Sequence, residues 1–152
     1  MIKLISSKFA LTKEKDLVNA QILTKDGVPA KVILALEIKG EHAPQIYKEI
    51  EHIFQENFFH AELEVLLRFE ECMKRVNLAL KEKDSLEIDG VIAVYENGEL
   101  HVSQTGQGEA YLIRKSKLNV IIENNNEESE DIFVSIASGD IMVDDLILIS
   151  SL

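Results

Sequence analysis

The chain has 152 residues, of which 46% are hydrophobic and 28% are charged, and its net charge is −11. This length and composition fit one globular domain with a sizeable core, and the acidic charge argues against binding to nucleic acid or to an anionic membrane surface. Its single cysteine, Cys72, excludes an internal disulfide. Together with the lack of a signal segment or a long apolar run, this favours the cytoplasm.

The first 38 residues are predicted to form strands. Residues 17–24 and 30–38 are apolar or alternating runs, and the Asp26-Gly27 turn signal between them predicts a hairpin. The second run contains KVILALEI, which is apolar at nearly every position. Such a run is typical of a strand that is covered on both faces.

The next segment changes to a helical period. Apolar residues recur every three or four positions across residues 40–59, and the same spacing returns across residues 62–83. We expect two helices that are joined near His60-Ala61 and lie side by side, because one unbroken helix would be long for a small domain.

From Ile88 onward the apolar period returns to two. DGVIAVYENGELHVSQ predicts a hairpin with Asn97-Gly98 at its tip, and EAYLIRKSKLNVIIE predicts another that turns at Lys115-Ser116. Residues 124–131 are expected to form an acidic loop. Two last strands are predicted over residues 133–137 and 146–150, with a turn at Ser138-Gly139-Asp140 between them.

This order of strands, two helices and further antiparallel strands predicts an α+β fold. Two long antiparallel helices should pack on one face of an antiparallel sheet, because helices segregated from strands along the chain usually form separate layers. We expect residues 1–152 to form a single domain, since no linker or internal repeat interrupts the sequence.

Gly106-Gln107-Gly108 raises the question of a phosphate-binding loop. A dinucleotide fingerprint needs a third glycine three residues on and a helix after it, whereas Tyr111 and a strand-like run follow here. A phosphate also needs a helix N-terminus or a following Lys-Ser/Thr pair, and neither is present. The motif is therefore predicted to be a tight connection between strands.

Other reactive side chains give weak signals. Cys72 lies beside Glu70 and Glu71, whose charges should raise the pKa of the thiol, so it is a poor nucleophile. His101 lies in a predicted strand, and the nearby sequence offers it no serine or cysteine partner. Carboxylates suit hard divalent cations, and the candidates are Glu37 at a strand end and Asp140, Asp144 and Asp145 near the last turn.

The segment DGVIAVYENGELHVSQTGQGEAYLIRKSKL resembles the central strands of the PP2C family, the metal-dependent Ser/Thr protein phosphatases (PPM type). In that family a strand ends in a Gly-Asp-Ser-Arg-type turn and leads into a strand of the kind AYLIR. Gly106, Gln107 and Gly108 occupy the position of that turn. The segment FVSIASGDIMVDDLILISSL and the helix around Asn77 are also similar to the family, so the resemblance spans most of the chain.

The resemblance also shows which metal ligands of the family are missing. The early Asn-Glu-Asp motif would fall on residues 19–21, where Gln21 is neutral, and the Asp-Gly-x-Gly-Gly motif would fall on residues 37–41. Only Glu37 and Glu41 offer carboxylates there. The late Ser-Asp-Gly would begin near Ser150 or Ser151, so the resemblance implies a domain that is shortened at its C-terminus.

A site with so few carboxylates is not expected to hold the two metal ions that activate water in such hydrolases. The resemblance therefore implies a PP2C-like fold without the activity: a pseudophosphatase that needs no cofactor and acts through a protein partner or as a homo-oligomer. One alternative is a divergent Mg²⁺- or Mn²⁺-dependent phosphatase with Glu37 and Glu41 as ligands, helped by Asp140 or Asp145. Another alternative is an unassigned α+β structural or signalling domain.

Overall fold

A computed structural model of the chain describes residues 16–60, 62–122 and 130–151. The residues before 16 and most of the predicted acidic loop 124–131 lie outside these ranges. The helices are α1 (Ala43–Asn57) and α2 (Val65–Lys81). The strands are β1 (Leu17–Lys25), β2 (Val28–Ile38), β3 (Ile88–Glu96), β4 (Glu99–Thr105), β5 (Glu109–Arg114), β6 (Lys117–Val120), β7 (Ala137–Asp140) and β8 (Leu146–Ser150).

The strands form two antiparallel sheets. The first sheet has the order β1-β2-β3-β4-β7, and the second has the order β6-β5-β8. The predicted hairpins are present: Asn97 and Gly98 both have positive φ, at 50° and 88°, between β3 and β4. Two successive residues of positive φ match the turn that follows the natural twist of a hairpin, and Asn-Gly adopts this conformation readily.

Both helices cover one face of the first sheet. Three buried aromatic rings lie on this side: Phe54 of α1, Phe58 directly after α1, and Phe69 of α2. The centroid of the Phe54 ring is 6.2 Å from that of Phe58 and 6.3 Å from that of Phe69. These rings pack with Leu34 and Leu36 of β2 in one apolar core. The predicted α+β architecture, with two helices on one face of an antiparallel sheet, is confirmed.

A second core lies between the two sheets. Val91 and Ala93 of β3 and Val102 of β4 pack there with Ala110 of β5 and Ile149 of β8. The central strands of the first sheet are thus covered by helices on one side and by the second sheet on the other, which explains why their sequences are almost continuously apolar. The layers follow the order helices, first sheet, second sheet.

The predictions of a strand over residues 133–137 and of a turn at residues 138–140 are wrong. The strand in this region is β7, which covers the predicted turn and pairs with β4 so that Ser138 lies opposite His101. The preceding segment crosses α2 instead, because Asn77 exchanges two hydrogen bonds with the backbone of Phe133. Phe133 is buried in the helix-side core, so its apolar character reflects this contact and not a strand.

The break between the helices is close to its predicted position, since α1 ends at Asn57 and α2 begins at Val65. Within the residues described, neither helix combines the length and the apolar composition that crossing a membrane requires.

Candidate functional site

Glu37 lies at the end of β2, beside the loop that leads to α1. The residue is buried, with 4% exposure, and its neighbours across the strands are Val18 of β1 and Asp89 of β3. Because Leu36 and Ile38 point into the helix-side core, Glu37 points to the opposite face of the sheet. Asp89 shares that face, so two carboxylates lie next to each other at this sheet end.

The Gly106-Gln107-Gly108 turn covers Asp89. The backbone N–H of Gln107 donates a hydrogen bond to Asp89 Oδ1 at 2.8 Å, and the N–H of Gly108 donates to the carbonyl of Thr105 at 3.0 Å. A Cβ on residue 106 would lie 1.9 Å from Asp89 Oδ1, and one on residue 108 would lie 2.1 Å from the Gly90 carbonyl oxygen. The glycines therefore allow a close approach of the turn to β3.

A shallow cleft of about 250 Å³ opens beside this turn. It is lined by the residues of the turn and the strand ends around it: Gln104, Gly106, Gln107, Gly108, Glu109, Tyr111, Val120 and Ile122. Glu109 is the charged residue among them, and its hydrogen bond to Tyr111 raises the pKa of the phenol. An acidic cleft repels a phosphate group, which agrees with the interpretation of the glycines as a structural turn.

A lysine stands close to the carboxylates. Lys39 follows β2, and its amino group lies 3.0 Å from the Glu87 carboxylate. The pKa of Lys39 is raised mainly by the hydrogen bond and the charge of Glu87, and to a smaller extent by the charges of Asp89 and Glu37. The negative charge at this end of the sheet is therefore partly balanced by a side chain of the protein itself.

The residues suggested as metal ligands are not brought together. Gln21 pairs with Leu34 and accepts a hydrogen bond from the Tyr47 hydroxyl at 3.1 Å on the helix side of the sheet, opposite to Glu37. Glu41 is exposed in the loop before α1. Among the described residues, no group of three or more His, Cys, Asp or Glu side chains is placed to hold a metal ion. The donor set therefore does not fit a two-metal centre.

The late aspartates lie at the other end of the strands. Asp140 is paired with Glu99, the first residue of β4. The turn that covers Asp89 follows Thr105, the last residue of β4, so Asp140 and Asp89 lie at opposite ends of this strand. Asp145 accepts hydrogen bonds from Arg114 Nε at 3.0 Å and from a terminal guanidinium nitrogen of Arg114 at 2.6 Å. Neither aspartate can assist Glu37, and Asp145 instead holds the connection before β8 onto β5.

Sequence reasoning overlooked Asp89 and Lys39. Asp89 precedes the glycine that opens the apolar part of β3, and an acidic residue at that place also fits an ordinary strand end. Asp89 belongs to the candidate site because the register of β2 and β3 places it beside Glu37 and because the Gly106-Gln107-Gly108 turn packs on it. Both contacts join residues that are distant in the sequence, so a local pattern does not reveal them.

Comparisons with known proteins give structural matches. No protein-family model and no curated protein match the chain at a significant level. One similar structure is the phosphatase domain of the cell fate determinant SpoIIE from Bacillus subtilis, with a TM-score of 0.61 and 12% identity. The match covers 90% of this chain and 58% of that domain, so the chain spans less than two thirds of its length.

Two further structures are similar. The catalytic domain of the Ser/Thr phosphatase PstP, in complex with two manganese ions, has a TM-score of 0.60 and 12% identity, with 93% of this chain and 72% of that chain covered. A chain from the bacterial stressosome, described as a modular system adapted to control secondary messenger signalling, has a TM-score of 0.52 and 13% identity over 89% of this chain and 67% of that one. Over the part of those domains that it covers, the chain has the fold of the PP2C-type Ser/Thr phosphatase domains.

Proposed function

We propose that this PP2C-like domain is catalytically inactive and acts as a regulatory protein-interaction module. The observation that carries the proposal is the donor set beside Glu37, where the neighbouring carboxylate is Asp89 and the nearby cation is Lys39. Two carboxylates cannot compensate two divalent cations, and a lysine repels them. Without a metal to lower the pKa of a bound water, hydrolysis of a phosphate ester would be slower by orders of magnitude.

The regulatory part of the proposal draws on the fold and on one of the structural matches. A fold by itself does not define a function, and the same scaffold can be kept after its chemistry is lost. A chain of the bacterial stressosome, a system that controls secondary messenger signalling, has the same architecture. A signalling role in the cytoplasm, exerted through protein contacts and not through nucleic acid or membranes, is consistent with the net charge of −11.

A phosphatase assay tests the proposal. The purified chain is incubated with 4-nitrophenyl phosphate and millimolar Mn²⁺, and Glu37→Gln and the exposed helix variant Glu56→Gln are assayed in parallel. We expect all three proteins to give the same rate of hydrolysis as the Mn²⁺ buffer without protein. The proposal fails if the chain hydrolyses the ester in a Mn²⁺-dependent way and Glu37→Gln loses this activity while Glu56→Gln keeps it.

A calorimetric titration addresses the alternative of a divergent Mg²⁺- or Mn²⁺-dependent phosphatase. That alternative is favoured by the position of Glu37, which is buried and lies next to Asp89, because neighbouring carboxylates attract a divalent cation. It predicts that Mn²⁺ binds with measurable heat and that Glu37→Gln abolishes the heat. A flat calorimetric titration at millimolar Mn²⁺ would exclude this alternative.

A further inference from the structure

His101 has a ring nitrogen whose hydrogen-bonding capacity is not used. The residue is 4% exposed, and its Nδ1 lies 2.7 Å from the hydroxyl oxygen of Ser138 on the neighbouring strand. Its Nε2 is buried and has no hydrogen-bond partner among the described residues. A buried nitrogen without a partner costs free energy in a folded protein. It therefore indicates a ligand that the chain itself does not supply.

Two carboxylates share the face of the first sheet on which His101 lies. Leu100 and Val102 point into the core between the sheets. Glu99 and His101 alternate with them along β4 and therefore lie on the opposite face, the helix side. Asp140 of β7 is paired with Glu99, so it lies on this face as well. An imidazole and two carboxylates thus come from two neighbouring strands at one edge of the sheet.

Two arginines near this group are already paired with other carboxylates. Arg68 donates a hydrogen bond to Glu96 at 2.6 Å. Arg114 donates to the Asp145 carboxylate at 2.6 Å, and it contacts Asp140 through the backbone carbonyl, at 3.0 Å. The lysines of the turn between β5 and β6 belong to the second sheet, which packs on the other face.

The pairing of Glu99 with Asp140 places like charges directly opposite each other on adjacent strands. Such pairs repel, and their Cβ atoms are about 4.5–5.5 Å apart. A divalent cation bound between the two carboxylates replaces this repulsion with attraction.

The separation between His101 and Glu99 suits two ligands of one zinc ion. His101 Nε2 lies 3.5 Å from Glu99 Oε2, and no hydrogen bond joins them. In a tetrahedral zinc site with bonds of about 2.0–2.1 Å, two ligand atoms lie roughly 3.4 Å apart. A ligating histidine usually has its other nitrogen held by a hydrogen bond, as Ser138 holds Nδ1 here. A proton on Nδ1, donated to Ser138, leaves the lone pair of the neutral imidazole on Nε2.

We propose that His101 Nε2 and Glu99 bind Zn²⁺ at this edge of the first sheet, with Asp140 as the third protein ligand and water in the remaining position. As they stand, the described side chains do not form a group of three ligands. Glu99 and Asp140 are exposed, so their carboxylates can turn toward the ion, whereas the buried imidazole is fixed. An imidazole combined with carboxylates favours zinc over Mg²⁺, Ca²⁺ and Mn²⁺.

Zinc at this site attaches the edge strand to the sheet. β7 has four residues, Ala137–Asp140, and within the described structure it is paired with β4 alone. Ligands from both strands make the docking of β7 depend on the metal. The site goes beyond the proposed function, because it lies on the opposite face of the first sheet from Glu37.

Isothermal titration calorimetry with Zn²⁺ at pH 7 tests the proposal. Two of the three ligands must turn to reach the ion, so we expect one Zn²⁺ per chain with a Kd on the order of 1–10 µM, weaker than in a four-ligand structural site. Glu99→Gln, Asp140→Asn and His101→Gln should each weaken binding at least about tenfold. His52→Gln, at an exposed histidine of α1, is the matched control and should bind zinc as wild type.

Ser138→Ala tests the orientation of the imidazole. It removes the partner of Nδ1 and leaves the three ligands in place, so it should weaken zinc binding roughly tenfold. Loss of a hydrogen bond with a merely structural role would lower the melting temperature of this variant without changing its affinity for zinc, and that result would contradict the proposal.

Thermal unfolding gives a second measurement. Zn²⁺ at a hundredfold excess over Kd should raise the melting temperature of the wild type by about 5–10 °C, and Glu99→Gln should show little of this shift. If His101→Gln does not fold, Glu99→Gln and Asp140→Asn still decide the question, because their side chains are exposed.

Three results overturn the proposal: a wild-type chain that binds no Zn²⁺ at submillimolar concentration, Glu99→Gln and Asp140→Asn that bind it as well as wild type, or His52→Gln that loses it. Loss of zinc binding in Glu37→Gln would also overturn it, because the ion would then lie beside Asp89, and this result would favour the phosphatase alternative. Zinc binding that survives in Glu37→Gln supports the site at His101 and leaves the Mn²⁺ phosphatase assay as the separate test of inactivity.

Discussion

Asp145 is a carboxylate whose pKa is clearly shifted by its surroundings. The guanidinium of Arg114, followed by the backbone N–H of Met142, holds the pKa of Asp145 at about 2, below its ordinary value of 3.8. Because the folded-state pKa is the lower one, the interaction stabilises the fold above the unfolded pKa and is lost as the pH falls through the folded value.

We therefore expect Asp145→Asn to lower the free energy of unfolding at neutral pH, with a difference from wild type that shrinks as the pH falls from about 4 to about 2. Urea titrations at several pH values measure this difference. The exposed variant Glu56→Gln serves as the control, and the prediction fails if the difference between Asp145→Asn and wild type is the same at pH 2 as at pH 7.

Cys72 shows how burial raises the pKa of a thiol. It is completely buried on the inner side of α2, and burial, more than the nearby Glu71, raises the pKa of its thiol to about 12. The raised pKa was predicted from the neighbouring glutamates, but its main cause depends on packing, which a local sequence window does not reveal.

The native protein should therefore not react with a disulfide reagent such as DTNB at pH 8, and it should react fully once guanidinium unfolds it. Leu78→Cys in a Cys72→Ala background provides the matched control, since residue 78 is 66% exposed on the same helix. Rapid labelling of Cys72 in the native wild type, at the rate of the exposed control, would show that the helix layer opens readily.

At the scale of elements, the turn between β4 and β5 depends on its glycines. A Cβ on residue 108 would collide with the backbone of Gly90, which cannot move aside like the end of a flexible side chain. We expect Gly108→Ala to cost about 3 kcal/mol of stability through overpacking. Gly139 in β7 has no atom near the position of a Cβ, so Gly139→Ala should stay within about 0.5 kcal/mol of wild type in the same denaturation experiment.

Elements whose signal is local were predictable from the sequence, and those set by distant contacts were not. The Asn97-Gly98 hairpin and the α1 period depend on neighbouring residues, so their positions were predicted correctly. β7 was misplaced because its residues, Ala137–Asp140, have little strand propensity and pair with the edge of β4 through contacts such as the 2.7 Å hydrogen bond between Ser138 and His101. The pair formed by Glu37 and Asp89 was not predicted for the same reason, because it arises from the register between β2 and β3.

At the scale of the whole molecule, Arg68 joins the helix layer to the first sheet. Its guanidinium donates hydrogen bonds to the backbone carbonyls of Leu63 at 2.9 Å and of Phe58 at 3.1 Å, in the connection between α1 and α2. It also donates to the Glu96 carboxylate at the end of β3, at 2.6 Å. Arg68 is 6% exposed and Glu96 is 16% exposed, so this ion pair is largely shielded from water.

Arg68→Met keeps the length of the side chain but leaves Glu96 and two carbonyls without their partner in a dry environment. We expect it to lower the free energy of unfolding by about 3–5 kcal/mol, because one member of a buried ion pair is removed. Arg75→Met is the matched control on the same helix: its pair with Glu71 is half-exposed at 3.6 Å and should contribute at most about 0.5 kcal/mol.

A double-mutant cycle with Glu96→Gln separates the ion pair from the two carbonyl contacts. If Arg68 holds the layers together through Glu96, the coupling energy should be a large part of the loss, and the double variant should be more stable than the sum of the single losses predicts. A loss for Arg68→Met no greater than that for Arg75→Met would mean that the apolar core around Phe54, Phe58 and Phe69 alone positions the helices on the sheet.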